Sequence, residues 1–369
     1  MSSEHRTNNS SVDSDYTVVD VDAHYLESFE NIAEYMDEPW RTRLKESGWG
    51  EIGAKQNASS YFPTSTGDRQ AYGRIDREHS SYPDEPAEPD EIKASMESIG
   101  IDIQLQISHL LLPANAVRSD DQRVTQFMEG YVKYVREHIL DPDEGIYGLV
   151  PVPFHDVEAS LDLLKETEDD EGFIGACMIA AGARPALGNR KYDRIYELGE
   201  ELDYPFVFHT GGAGLDSYDG FQSFIETHAL GFLASNQAQL TSLVMEGIPE
   251  KFPELDIIFM ESGVTYVPAL MTRLDEEYLK RPEENPLLEK LPSDYLKEVY
   301  YGTQPLEKSA NPEYLETCFN MIGADQIMYA SDYPHWDYDR PTTVTDLPFL
   351  TEDDKQKILG GNALEVFDL

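Results

Sequence analysis

The sequence predicts an α/β fold, a closed (β/α)8 barrel with a long insertion after its first strand. Three observations lead there. About eight short apolar runs alternate with helical segments over most of the chain, the pattern of parallel βαβ units. The chain has 369 residues and 40% hydrophobic content, enough for one large core, and barrels reach this size as a single domain. Three runs end in an imidazole or a carboxylate, and a barrel gathers the C-terminal ends of its first, fifth and last strands at one rim. A doubly wound sheet is the structural alternative, and it does not easily bring those three ends together.

Each element follows in order. Residues 1–16 are rich in Ser, Asn and Asp and read as a disordered tail, leaving 17–369 as one domain. The first strand is Thr17-Val18-Val19-Asp20-Val21-Asp22-Ala23-His24. Alternation puts Val19, Val21 and Ala23 on one face and Asp20, Asp22 and His24 on the other. Residues 25–90 form the insertion, with one helical run over 30–45 and then Gly, Ser, Pro and Tyr punctuation; long ordered loops of this kind often act as lids. A helix over 91–98 leads into a strand over 101–107. An amphipathic helix over 120–138 follows, with Phe127, Tyr131, Tyr134 and Val135 on one face. A strand over 145–152, a helix ending at Leu164 and a strand over 172–179 come next. A helix over 192–202 precedes Pro205-Phe206-Val207-Phe208-His209, and a helix over 230–247 precedes a strand over 255–261. Strands over 299–303 and 326–332 complete the set, with a terminal helix over 352–363.

Charge narrows the function. The net charge is −43, from 71 acidic against 28 basic residues. Nucleic acid binding needs basic patches, so it is excluded, and an anionic membrane surface is excluded with it. Such an excess makes a folded chain repel itself at low salt, which points to a halophilic, salt-rich cytoplasm where screening shortens the repulsion. No stretch is long and apolar enough to span a bilayer, and the polar start lacks the apolar segment of a secretory signal. Cys177 and Cys318 sit in apolar contexts and read as small buried residues.

The chemistry begins at Asp22-Ala23-His24. A solvated edge strand with a polar face is the bland alternative for this triplet. In a buried strand, carboxylates and an imidazole need a partner, because unpaired buried charge is costly. A divalent metal best suits that donor pair. Two further strands end in metal-capable residues, His209 before Thr210-Gly211-Gly212, and Asp332 before Tyr333-Pro334-His335.

With these pieces the chain resembles the amidohydrolase-related family, in the branch similar to aminocarboxymuconate-semialdehyde decarboxylase. The matching segments are Asp20-Val21-Asp22-Ala23-His24, Pro205 to Gly211, Phe259-Met260-Glu261-Ser262-Gly263 with Pro268 and Arg273-Leu274-Asp275, Ala330 to His335, and Lys357-Ile358-Leu359-Gly360-Gly361-Asn362-Ala363 with Phe367. The resemblance implies one divalent metal held by Asp22, His24, His209 and Asp332, with Asp332 doubling as the acid/base. Mixed imidazole and carboxylate ligands suit zinc or manganese. Two departures stand out. The fourth strand has no lysine to bridge two metals, so one metal is expected. Glu261 stands where many members carry a histidine, as ligand, supporting partner, general base or simply a buried hydrogen-bonded glutamate.

Other candidates carry a bland reading beside the functional one. His228 faces the pocket or packs. His335 orients Asp332, touches substrate or is solvated. Arg184 and Arg190 follow the fourth strand and either grip a substrate carboxylate or pair with surface acids. Asp20 supports the ligands from one layer deeper. His109 has a weak claim, and His5, His79, His138 and His155 read as surface. The expected function is nonoxidative decarboxylation of a small carboxylated, aromatic or unsaturated molecule. Metal-dependent hydrolysis of a C–N, C–O or C–C bond is the alternative, and a non-catalytic ligand-binding barrel the third reading. A symmetric homodimer is a further expectation.

Overall fold

The computed structural model describes residues 16–25, 27–47, 86–111, 121–210, 224–308, 311–335 and 337–369. The expected tail apart from Tyr16, residues 48–85 of the expected lid, His5, His79 and the glycine stretch after Thr210 lie outside the described residues.

Eight strands run parallel in sequence order: β1 (Val19–Ala23), β2 (Ile103–Gln106), β3 (Ile146–Pro151), β4 (Phe173–Ile179), β5 (Phe206–His209), β6 (Ile257–Met260), β7 (Tyr300–Gly302) and β8 (Ile327–Met328). The ring closes between β8 and β1. Val21 N–H donates to Tyr329 O at 3.2 Å, Asp332 N–H to Asp22 O at 2.8 Å, and His24 N–H to Tyr333 O at 2.8 Å. The barrel expected from the strand count is the fold observed.

Strand register sorts the apolar residues into two layers. Val207 pairs with Ile258, Phe208 with Phe259 and His209 with Met260. Val207, Ile258 and Met260 join Val19, Val21, Met328 and Phe367 in an inner cluster. Phe208 and Phe259 stack at 5.1 Å in the outer layer, beneath the helices. The strict alternation expected of β1 does not hold. Its pairing with β2 shifts between Asp20 and Ala23. Val21 joins the inner cluster, and its neighbour Asp22 nevertheless reaches His209.

The helices depart from expectation where local chemistry interrupts them. The run over 30–45 is two helices, α1 (Phe29–Ala33) and α2 (Trp40–Ser47), because Pro39 cannot continue a helix. Next comes α3 (Pro89–Ile99), with Pro at its first turn and Gly100 closing it at φ 89. Then follow α4 (Asp121–His138), α5 (Val157–Glu166) capped by Asp156, and α6 (Asp193–Glu201). The helix expected over 230–247 is α7 (Phe224–Met245), which starts earlier; its apolar residues lie all round, so no face marks the start. The shorter α8 (Ile248–Lys251), α9 (Val267–Tyr278), α10 (Pro292–Leu296), α11 (Pro312–Ile322) and α12 (Thr342–Thr345) complete the middle. The terminal helix is broken into α13 (Glu352–Gln356), a π-helical turn Lys357–Gly361 and α14 (Asn362–Val366). Gly360 explains the break: a Cβ there would lie 2.3 Å from Thr17 O, so the turn presses backbone to backbone against the entry of β1.

Candidate active site and metal centre

The ends of β1, β5 and β8 bring Asp22, His24, His209 and Asp332 together. All four are at most 1% exposed. The backbone bonds joining β1 to the segment after β8 hold Asp22 and His24 against Asp332. Asp332 adopts a left-handed backbone, φ 61, as does Glu261 at the end of β6, φ 55. That conformation is costly for residues with a Cβ and gathers at functional rims. Asn236 of α7 fixes the second turn, donating to Met260 O at 2.7 Å and to Ser262 Oγ at 2.8 Å.

Each of the two clustered histidines, His24 and His209, has one nitrogen committed to the backbone. His24 Nδ1–H donates to Ile107 O at 2.7 Å and His209 Nδ1–H to Thr210 O at 2.6 Å. Their Nε2 lone pairs then face carboxylates. His209 Nε2 lies 3.1 Å from Asp22 Oδ1, while His24 Nε2 lies 3.5 Å from the same oxygen and 3.3 Å from Asp332 Oδ1. Lone pairs facing lone pairs repel unless a cation lies among them. Donors about 2.0–2.2 Å from one ion stand roughly 3–3.5 Å apart, so Asp22, His24 and His209 are spaced for a single metal, and Asp332 adjoins them through His24. Asp22 Oδ2 and His24 Nε2 are buried with no hydrogen-bond partner among the described residues, as expected of donors reserved for a metal.

The electrostatics point the same way. Burial resists charging His209, but Asp22 and Glu261 overcome it and hold the imidazole up to about 9. His24 is raised too: burial opposes its charge, while Asp332 and Asp22 outweigh that. The cradle therefore demands positive charge.

Supporting groups surround it. Asp20 Oδ1 accepts from Ser331 N–H at 2.8 Å and Asp22 N–H at 3.2 Å; its Oδ2 accepts from Ser331 Oγ at 2.6 Å and Gln104 Nε2 at 3.2 Å. Burial pushes Asp20 up to about 7 against those hydrogen bonds. Asp332 accepts from Gln304 Nε2 at 3.2 Å through Oδ2 and from His335 Nδ1 through Oδ1. Glu261 Oε2 lies 3.7 Å from His209 Nδ1, on the side of the ring opposite the Nε2 that faces Asp22.

His228 does not join the cluster; its Nε2 pairs with Asp337 Oδ2 at 3.3 Å, linking α7 to the loop after β8. His335 lies beside His24, ring centroids 4.4 Å apart, and its Nδ1 meets Asp332 Oδ1. Arg184 and Arg190 are exposed on the loop after β4, and neither bonds to the cluster. Cys177 and Cys318 are buried, as expected. Sequence reasoning missed Gln304 and underrated His109, whose Nδ1 meets His335 Nε2 at 2.8 Å. Gln304 left no signal; for His109 the only one was an imidazole just past the second strand.

The amidohydrolase family model matches residues 19–369. A gamma-resorcylate decarboxylase of Polaromonas sp. is 25% identical over 278 residues, covering 72% of this chain and 84% of the relative. Among solved structures, an amidohydrolase of Mycobacterium avium subsp. paratuberculosis aligns with TM-score 0.75 and 17% identity, over 96% of this chain and 99% of its own. A dihydroxybenzoic acid decarboxylase of Polaromonas sp., with bound manganese and the inhibitor 2-nitroresorcinol, aligns with TM-score 0.64 and 18% identity, over 96% and 97%. Among the described residues no helix is long and apolar enough to cross a membrane.

Proposed function

This chain belongs to the amidohydrolase family, and from that premise we propose that it is a metal-dependent, nonoxidative decarboxylase of a small aromatic acid. The observation that carries the reading is the buried set Asp22, His24, His209 and Asp332, with its acceptors turned toward one another at one rim. The names of the curated relatives, gamma-resorcylate decarboxylases, supply the substrate class. A divalent ion held by those four side chains would supply Lewis acidity toward substrate oxygens. Zinc and manganese both suit the donors, and the manganese of the Polaromonas enzyme favours the second.

The residues of this chain do the rest. Asp332, buried and hydrogen-bonded on both oxygens, takes up a proton and delivers it to the ring carbon. The bond from that carbon to the carboxylate breaks, its electron pair stays on the ring, and carbon dioxide leaves. One proton is consumed for each carbon dioxide released. Glu261 braces His209 from behind, and His228 pairs with Asp337, tying α7 to the loop after β8. Arg184 or Arg190 receives the substrate carboxylate as a planar fork. Hydrolysis is the second reading. In it a bound metal would activate water and Asp332 would accept its proton. We also propose that residues 25–90 form a lid, that the protein works in a salt-rich cytoplasm, and that two copies form a symmetric dimer.

The test is a panel of hydroxybenzoic acids given to the metal-loaded protein in concentrated potassium chloride. The reading expects stoichiometric carbon dioxide and decarboxylated arene, with kcat cut about 10²–10⁴-fold in Asp332→Asn. Acid release from amide or ester substrates without carbon dioxide would turn the assignment to hydrolysis.

A further inference from the structure

His335 stands between two partners. Its Nδ1 meets Asp332 Oδ1, and its Nε2 meets His109 Nδ1 at 2.8 Å. The proton positions follow from the acceptors. A metal-binding carboxylate oxygen has no hydrogen to give, so His335 Nδ1 carries one. A neutral imidazole has a single N–H, so His335 Nε2 is a lone pair. With His335 neutral, the hydrogen between the two rings sits on His109 Nδ1; a doubly protonated His335 would give that hydrogen instead, and the spectrum below separates the two. His335 is only 3% exposed, so its hydrogen bond to His109 is made away from solvent.

The same short segment serves a metal ligand. Ile107 O accepts from His24 Nδ1–H at 2.7 Å, and Leu110 N–H donates to Glu27 Oε2 at 2.6 Å, which pins the turn carrying His109. The His24 and His335 rings lie 4.4 Å apart, and His109 and His335 lie 4.9 Å apart. One turn after β2 therefore sets two imidazoles at once.

We propose that His109 is a positioning residue for Asp332. It donates to His335 Nε2, holds that ring in its Nδ1–H form, and so keeps an N–H on the Asp332 carboxylate. The inference rests on Asp332 moving the proton, but the hydrogen placement it asserts can be read without substrate. Which nitrogen of a histidine is protonated follows from what the other nitrogen bonds.

The experiment is a long-range proton–nitrogen NMR spectrum of the zinc-loaded, ¹⁵N-histidine protein, with His335 assigned by its loss in His335→Phe. Wild type should show His335 and His109 both protonated on Nδ1 and bare on Nε2. In His109→Phe the His335 pattern should change, with kcat down about 10–100-fold and KM and metal content unchanged. His109→Asn, whose amide can donate in place of the ring, should restore both pattern and rate. If His109→Phe fails to fold, His109→Ala, which removes the donor without adding bulk, is read the same way: an altered His335 pattern supports the inference, and an unchanged one overturns it. A His335 protonated on Nε2, or unchanged in a folded His109→Phe, also overturns it. The expected spectra without decarboxylation of any acid would refute the proposed reaction and leave this inference standing.

Discussion

At the scale of single residues, burial decides what each carboxyl does. Glu27 accepts from Leu110 N–H, and burial pushes it up to about 7, tempered by Ser108 and that backbone donor. A carboxyl that holds its proton more tightly when folded stabilises fully below its unfolded value, near 4.5, and loses that contribution as pH rises through about 7. Glu27→Gln should therefore flatten the fall in stability of the metal-free protein between pH 5 and pH 8, by on the order of 2 kcal/mol. Denaturant melts at constant high salt measure it, and identical slopes for variant and wild type would contradict it. Asp20, also held at about 7, keeps a residual slope in the variant. The residues differ in how legible they were. Asp22 and His24 stand two apart on one strand with a donor pair that fits a metal, so chemistry shows in the spacing. His109 and Gln304 act on Asp332 from other strands, one of them through His335, and only closure of the ring makes them neighbours.

At the scale of elements, the seam between β1 and β8 carries the site, and the π-helical turn behind it sets how closely β1 can sit. Gly360→Ala places a Cβ 2.3 Å from Thr17 O and 3.3 Å from Val19 Cγ2. The turn must move off β1, at a cost of about 1–3 kcal/mol. A lower melting temperature together with weaker metal binding is expected, because β1 carries Asp22 and leads into His24, two of the four proposed ligands. An unchanged melting temperature would show that the contact does not constrain the strand. The strands were legible from apolar runs with polar ends. The broken terminal helix was not: Gly360-Gly361 reads as a weak spot in a helix, and nothing local reveals that a backbone from the other end of the chain lies against it. Pro39, by contrast, marked a break within the run over 30–45 that the periodicity alone passed over.

At the scale of the whole molecule, the barrel follows from the alternation of runs, since parallel strands with covering helices have few other closed solutions. The charge of −43 adds a condition to it. Repulsion among exposed carboxylates is screened to about 3 Å at 1 M salt and reaches roughly 30 Å at 0.01 M. Dialysis from molar potassium chloride to low salt should therefore unfold the chain, seen as loss of circular dichroism. Retention of the full signal would mean the acidic surface is tolerated without salt. The site sits apart from that surface charge, since its ligands are buried and face one another.

The account depends on one cation gathered by four side chains, and elemental analysis of the purified protein addresses it directly. About one zinc or manganese per chain is predicted, lost in Asp22→Ala and in His209→Ala while the barrel stays folded in high salt. Metal-free wild type that binds no added divalent ion, or variants that keep the full complement, would contradict it.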